Sequence, residues 1–318
     1  MRALVSALLP LSVLLFACGG GPSASPEPAK APVVEVGAGP AAPPLPAPGP
    51  EEGASEAEEA RAAEPVDACI EHLREGRGLP EVAPGPDAAL YAEALAAERS
   101  GKMNEARKGY LKLIQQYPQS PYIPLVYFAF GELFFREAQK DPSKSALAKQ
   151  SYMEVVKYPP PANTAWLAAT FRLADVHHQN GAGPDALAAL KKLEGGAAKE
   201  PGAQCAASLA PPGRAKMVVV YADIGQPDKA FEFFRRASGD RGDDRTNALA
   251  MVASLAELYL QQQKPGDAVK ALLAVNANMY DKAYCRREEA LVAKLGTSLD
   301  TARRQELGHA HSMHCVPH

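Results

Sequence analysis

Between Asp87 and Met279 the apolar residues return at helical spacing. An alanine is followed four positions later by an aromatic residue or leucine, and seven positions later by another apolar residue. The triplets are Ala106-Tyr110-Leu113, Ala148-Tyr152-Val155, Ala186-Leu190-Leu193, Ala230-Phe234-Ala237 and Ala268-Leu272-Val275. Offsets of four and seven place all three members on one helix face, where the alanine permits close approach and the larger side chains fill the gap beyond it. A second stripe precedes most triplets: Phe130-Gly131 then Phe134, Leu173-Ala174 then His177, Met217-Val218 then Tyr221, and Leu255-Ala256 then Tyr259. Gly101, Gly181 and Gly225 each stand a few residues before a triplet, and Pro118 and Pro160 follow the first two triplets. A helix, a glycine turn and a second helix, recurring at ~34 residues, predict an all-α stack of about five helical hairpins. Extra residues around Asp141-Pro142-Ser143 and a long proline-broken connection from Gly195 to Gly213 interrupt the register. Tyr280 to Leu307 reads as one capping helix, with Arg286, Arg287, Glu288 and Glu289 on its solvated side.

The first 66 residues follow another pattern. Arg2, an apolar run from Ala3 to Ala17, Cys18 and three glycines read as a secretory signal peptide. The run is interrupted by Pro10 and falls short of the ~20 apolar residues that a membrane-spanning helix needs. Gly19 to Val66 holds eleven prolines, six glutamates between Glu51 and Glu64 and no aromatic residue, so it cannot bury enough apolar surface to offset chain entropy. It is expected to be a disordered tether, reaching on the order of 150 Å if fully extended. The domain plan is thus a signal peptide over 1–17, a linker over 18–66, a repeat body over 67–279, and a cap with a His/Cys-rich tail over 280–318.

With 34 Lys and Arg against 37 Asp and Glu, the net charge is -3, which gives no broad attraction to nucleic acid. Metalloprotease, nucleophile-elbow, P-loop and CxxC signatures are all missing, so neither an enzyme nor a cofactor is expected. Gly181-Ala182-Gly183 lies at a repeat turn after a helix rather than after a strand, which argues against a dinucleotide fingerprint. The tail from His309 to His318 carries four histidines and Cys315, good ligand types, but a terminus with little around it is not expected to preorganise a metal site. A metal-binding or redox protein using this tail is the alternative function. Apart from Cys18, the cysteines are Cys69, Cys205, Cys285 and Cys315. Three pairings exist. Cys285 with Cys315 comes first, because a helical hairpin returns the tail to the cap, and this leaves Cys69 with Cys205; four free thiols is the other option.

Leu15-Phe16-Ala17-Cys18 resembles the lipobox of bacterial lipoproteins. That resemblance implies lipidation of Cys18, and Gly19 rather than Asp at the next position implies an outer-membrane lipoprotein facing the periplasm. The repeated triplets and turn glycines resemble the tetratricopeptide repeat family over roughly Asp87 to Met279, and the segment from Ile114 to Tyr122 echoes the BamD-like and YbgF-like envelope lipoproteins of that class. The family resemblance implies a solenoid whose first helices line a concave, partner-binding face. Here those residues would be Tyr91, Glu98 and Arg99 in the first unit, then Phe128, Glu132, Phe135 and Arg136, then Phe171, Asp175 and His178. Glu132, Asp175 and Glu257 recur at one repeat position, which would suit a partner segment bearing Lys or Arg. The Lys and Asn of a terminal-carboxylate clamp are missing. The expected role is a membrane-tethered scaffold that binds an envelope protein or peptide.

Overall fold

A computed structural model describes residues 68–73, 79, 85–200, 205–275, 281–296 and 299–315, all within the unit Pro50–His318. The signal peptide, Cys18 and the linker lie outside the described residues. Every regular element among the described residues is helical. They are α1 (residues 68–73), α2 (Pro86–Arg99), α3 (Met103–Gln116), α4 (Ile123–Ala138), α5 (Ser145–Val155), α6 (Trp166–Gln179), α7 (Gly183–Lys199), α8 (Ala206–Ile224), α9 (Ala230–Ala237), α10 (Thr246–Gln261), α11 (Pro265–Leu273), α12 (Lys282–Gly296) and α13 (Thr301–Cys315), with short 3-10 turns before α5 and α9. Helices pack in chain-consecutive pairs, α2 on α3, α4 on α5, α6 on α7, α10 on α11 and α12 on α13. The even-numbered helices from α4 to α12 also touch one another in succession.

The five triplets lie on α3, α5, α7, α9 and α11, the last ending on Val275, two residues past α11. No member is more than 4% exposed. Gly131 of α4 sets the tightest approach, since a Cβ there would fall 2.4 Å from the ring of Tyr152 on α5. In the first pair the small partner is reversed: a Cβ on Gly109 of α3 would lie 2.7 Å from the Cβ of Ala94 on α2.

Three of the first helices end in one capping geometry. Gly101, Gly181 and Gln263 adopt φ of 74°, 71° and 58°. The next amide in each case reaches back five residues, Lys102 to Ala97, Ala182 to His177 and Lys264 to Tyr259, at 2.7 to 2.9 Å. This left-handed cap satisfies carbonyls that the helix end leaves open, and glycine adopts it without a Cβ penalty. Gly225 serves differently: its backbone is extended at φ -82°, and a Cβ would strike the Tyr221 ring at 2.5 Å.

The Asp141-Pro142-Ser143 interruption is a 3-10 turn, started by the Asp141 carboxylate accepting from the Ser143 amide at 3.1 Å. Three expectations need correction. The connection from Gly195 to Gly213 is largely helical, with Pro211 and Pro212 inside α8. Ala206, Leu209 and Gly213 bury a stripe there, and Gly213 lets α8 approach Leu193 of α7, where a Cβ would lie 2.6 Å from Cδ2. That packing outweighs the two missing amides. The cap is two helices: Asp300 ends the break by accepting from the Arg303 amide at 2.8 Å, so α13 begins afresh and carries the tail through Cys315. Glu288 is not solvated but fully buried between them.

Gly131→Ala is expected to lose roughly 1–3 kcal/mol of unfolding free energy through overpacking against Tyr152, despite better helix propensity. Gln263→Gly, at an exposed left-handed cap, is expected to gain about 1 kcal/mol. Urea unfolding followed by circular dichroism checks both signs.

Candidate functional site

The first-helix row was the expected binding face, and the structure puts most of it inside the protein. Tyr91, Glu98, Phe128, Glu132, Phe171 and Asp175 are buried, Phe135 and His178 are half-buried, and Arg99 and Arg136 alone of the ten are exposed. The aromatic residues are packing elements rather than free anchors. Tyr91 stacks on Tyr122 with centroids 4.9 Å apart, Phe128 lies 6.1 Å from the Tyr152 ring, and the Arg172 guanidinium covers Phe135 at 4.7 Å.

The recurring acids are neutralised by cations from the following first helix. Glu98 on α2 meets Arg136 on α4 at 3.8 Å and accepts from the Tyr110 hydroxyl at 2.9 Å. Glu132 on α4 meets Arg172 on α6 at 3.0 Å and accepts from Tyr152 at 2.6 Å. Asp175 on α6 is bridged by Arg172 at 3.4 Å and by Lys216 on α8 at 2.5 Å. Glu257 on α10 is held by Arg287 of α12 at 2.8 Å. Burial and the Glu132 carboxylate keep the Tyr152 hydroxyl protonated well above its usual range. Burial opposes the Arg172 charge, but Glu132, Tyr152 and Asp175 outweigh it and hold the guanidinium above its ordinary range. These carboxylates fasten one helix pair to the next, so little of their charge is left for a basic segment. His178 adds a contact of the same kind, 3.3 Å from Asp223 on α8.

An exposed apolar groove lies on the first two pairs, lined by α3, α4 and α5. Leu111 on α3 is 49% exposed and Leu147 on α5 is 40% exposed, and they flank an open groove of about 480 Å³. Ile114, Tyr127, Phe130 and Phe134 form its apolar wall, while Arg107, Gln150 and Glu154 lie along it. Arg107 is tied to Glu137 and Glu154 to Lys157, so charges near the groove are paired within the chain. Sequence reasoning passed over Leu111 and Leu147. The available signal was register: Leu111 directly follows Tyr110 and Leu147 directly precedes Ala148, so both are bulky apolar residues just off the buried triplet face.

No family model matches the chain, and no curated protein matches it. The reading therefore rests on its own residues. Among the described residues no helix is long and apolar enough to cross a membrane. Disulfides join Cys69 to Cys205, at the head of α8, and Cys285 on α12 to Cys315 on α13, with Cα separations of 5.6 and 5.5 Å. Cys18 lies outside the described residues.

One buried acid stands apart from the first-helix row. Glu194 on α7 is 2% exposed, its Oε2 meets Arg214 on α8 at 2.9 Å, and its Oε1 is buried without a hydrogen-bond partner. Burial raises its pKa to about 7, with Arg214 pulling down and Asp240 adding a smaller push upward. The folded chain therefore keeps this proton to about pH 7, whereas the unfolded chain releases it near 4.5.

Two outcomes follow for stability. Arg172→Met, which strips the cation from Glu132, should cost about 3–5 kcal/mol, whereas Arg136→Met should cost less, because the Arg136 guanidinium is half in solvent at 3.8 Å and buried Glu98 keeps its bond from the Tyr110 hydroxyl; urea titration measures both. Glu194 stabilises the fold below its unfolded pKa and loses that contribution as pH rises toward 7. Wild-type unfolding free energy should fall by up to about 3 kcal/mol across that window relative to Glu194→Gln, read from paired urea titrations at a series of pH values.

Proposed function

We propose that this protein is an adaptor of the tetratricopeptide-repeat type, a solenoid of helical hairpins tethered to the outer membrane through a lipidated Cys18. It faces the periplasm and holds another envelope protein in a complex. The observation that carries the reading is the groove flanked by Leu111 and Leu147, two large apolar side chains left in water beside an apolar wall. A groove of this composition takes the apolar face of a partner helix. The first-helix row is a poorer place for a basic segment, because its acids already have cations of their own. The lipobox-like Leu15-Phe16-Ala17-Cys18 supports the tether, and the five in-phase triplets support the repeat class.

The test places a photocrosslinker at position 150, beside the groove, in the native cell envelope. Leu111→Asp with Leu147→Asp should leave helicity unchanged and abolish the crosslinked partner band, each side chain contributing about 2 kcal/mol if it sits at the centre of the interface. An unchanged band in the double variant overturns the groove. Cys18→Ser should shift the protein from the membrane to the soluble fraction; continued membrane retention overturns the tether.

A further inference from the structure

The closing helix pair gathers three different ligand types around one buried carboxylate. Glu288 on α12 is fully buried, a costly place for a charge unless other groups compensate it. Its Oε1 accepts from the Tyr284 hydroxyl at 3.0 Å, and its Oε2 lies 3.0 Å from His311 Nδ1 and 3.4 Å from Cys315 Sγ, both on α13. A carboxylate oxygen, an imidazole nitrogen and a sulfur thus lie within 4.8 Å of one another. Their spacing along the chain suits the geometry. Cys285 and Glu288 are one turn apart on α12, and His311 and Cys315 one turn apart on α13, so each helix presents two ligand types on the face turned to the other. Facing helices that each contribute residues three or four apart are a recurrent way to build a metal site in a bundle.

The Cys285–Cys315 disulfide closes this site, because the thiolate rather than the disulfide is the ligand for a metal ion. We infer that Glu288, His311 and Cys315, with Cys285 as fourth ligand, form a binding site for a borderline divalent cation of the zinc type that opens when the disulfide is reduced. A dithiol reductant donates two electrons and two protons. The Cys285–Cys315 bond breaks, each cysteine takes one proton, and the reductant closes to its own disulfide. The cation then displaces both thiol protons to solvent and binds two thiolates, the imidazole and the carboxylate. One nitrogen, one oxygen and two sulfurs are a donor set that tetrahedral zinc accepts. Tyr284 stays outside the first ring of ligands, donating to the Glu288 oxygen it already holds. The tail supplies this site because α13 is docked on α12.

The test uses the full chain, with its disulfides intact or after treatment with a phosphine reductant. Equilibrium dialysis against Zn²⁺ measures uptake, and Co²⁺ serves as the spectroscopic probe. The reduced wild type should bind one ion more per chain than the oxidised form, with a thiolate-to-cobalt charge-transfer band. His311→Ala should weaken this binding by about tenfold or more, and Cys315→Ser should remove the band. Reduction also frees Cys69 and Cys205, and His311→Ala separates the two sources, since it leaves all four thiols in place. Equal uptake by oxidised and reduced protein, no uptake by either, or unchanged uptake in reduced His311→Ala overturns the proposal. Circular dichroism verifies the fold of each variant, and His311→Ala remains decisive if Cys315→Ser fails to fold.

Discussion

The architecture depends on how closely two helices approach where one of them carries only a hydrogen or a methyl group. Gly131 against the Tyr152 ring is the limiting case, and of the five triplet alanines on the second helices none is more than 2% exposed. Close approach brings the large residues four and seven positions later against the neighbouring helix. Their burial supplies much of the stabilisation, at about 1.5–3 kcal/mol for each fully covered aromatic or aliphatic side chain. The same spacing brings carboxylates on one first helix within reach of cations on the next. Glu132 is bridged in this way by Tyr152 from its own pair and by Arg172 from the pair that follows. Apolar contact joins the helices of a pair, and charged contact helps join successive pairs.

Much of this was legible in the linear pattern. The triplets were readable because a helix has a fixed period and the core needs a continuous stripe. Gly101 and Gly181 were readable as turns because few other residues accept a left-handed cap; Gln263 occupies the same cap without that signal. The fate of the acids was hidden, since Arg136, Arg172, Lys216 and Arg287 lie one helix pair further along and no local spacing marks them as partners. Position in the repeat made Glu98, Glu132 and Asp175 look like surface groups, while the ion pairs that permit their burial depend on tertiary structure. At the C-terminal end a single cap was overlooked. Asp300 starts a helix, and that turns a tail expected to be loosely organised into the second member of a packed pair.

The groove beside Leu111 and Leu147 and the cluster around Glu288 lie at different places in the fold and make different physical demands. The groove involves a first pair and a second pair, and Leu111 and Leu147 stand just off the faces that the core uses, beside a wall that includes core Phe130. The cluster lies within the last pair and joins a buried charge to groups from both of its helices. The proposed docking at the groove would need no covalent change, whereas the proposed ligand capture at the cluster would need the Cys285–Cys315 bond to open.

The Cys69–Cys205 bond spans 136 residues and ties α1 to the head of α8. A pull whose two ends lie outside residues 69–205 passes through this covalent link from Cys69 to Cys205, and helices α2 to α7 then sit on the slack branch of the circuit it closes. Such a pull would not peel those helices apart one after another.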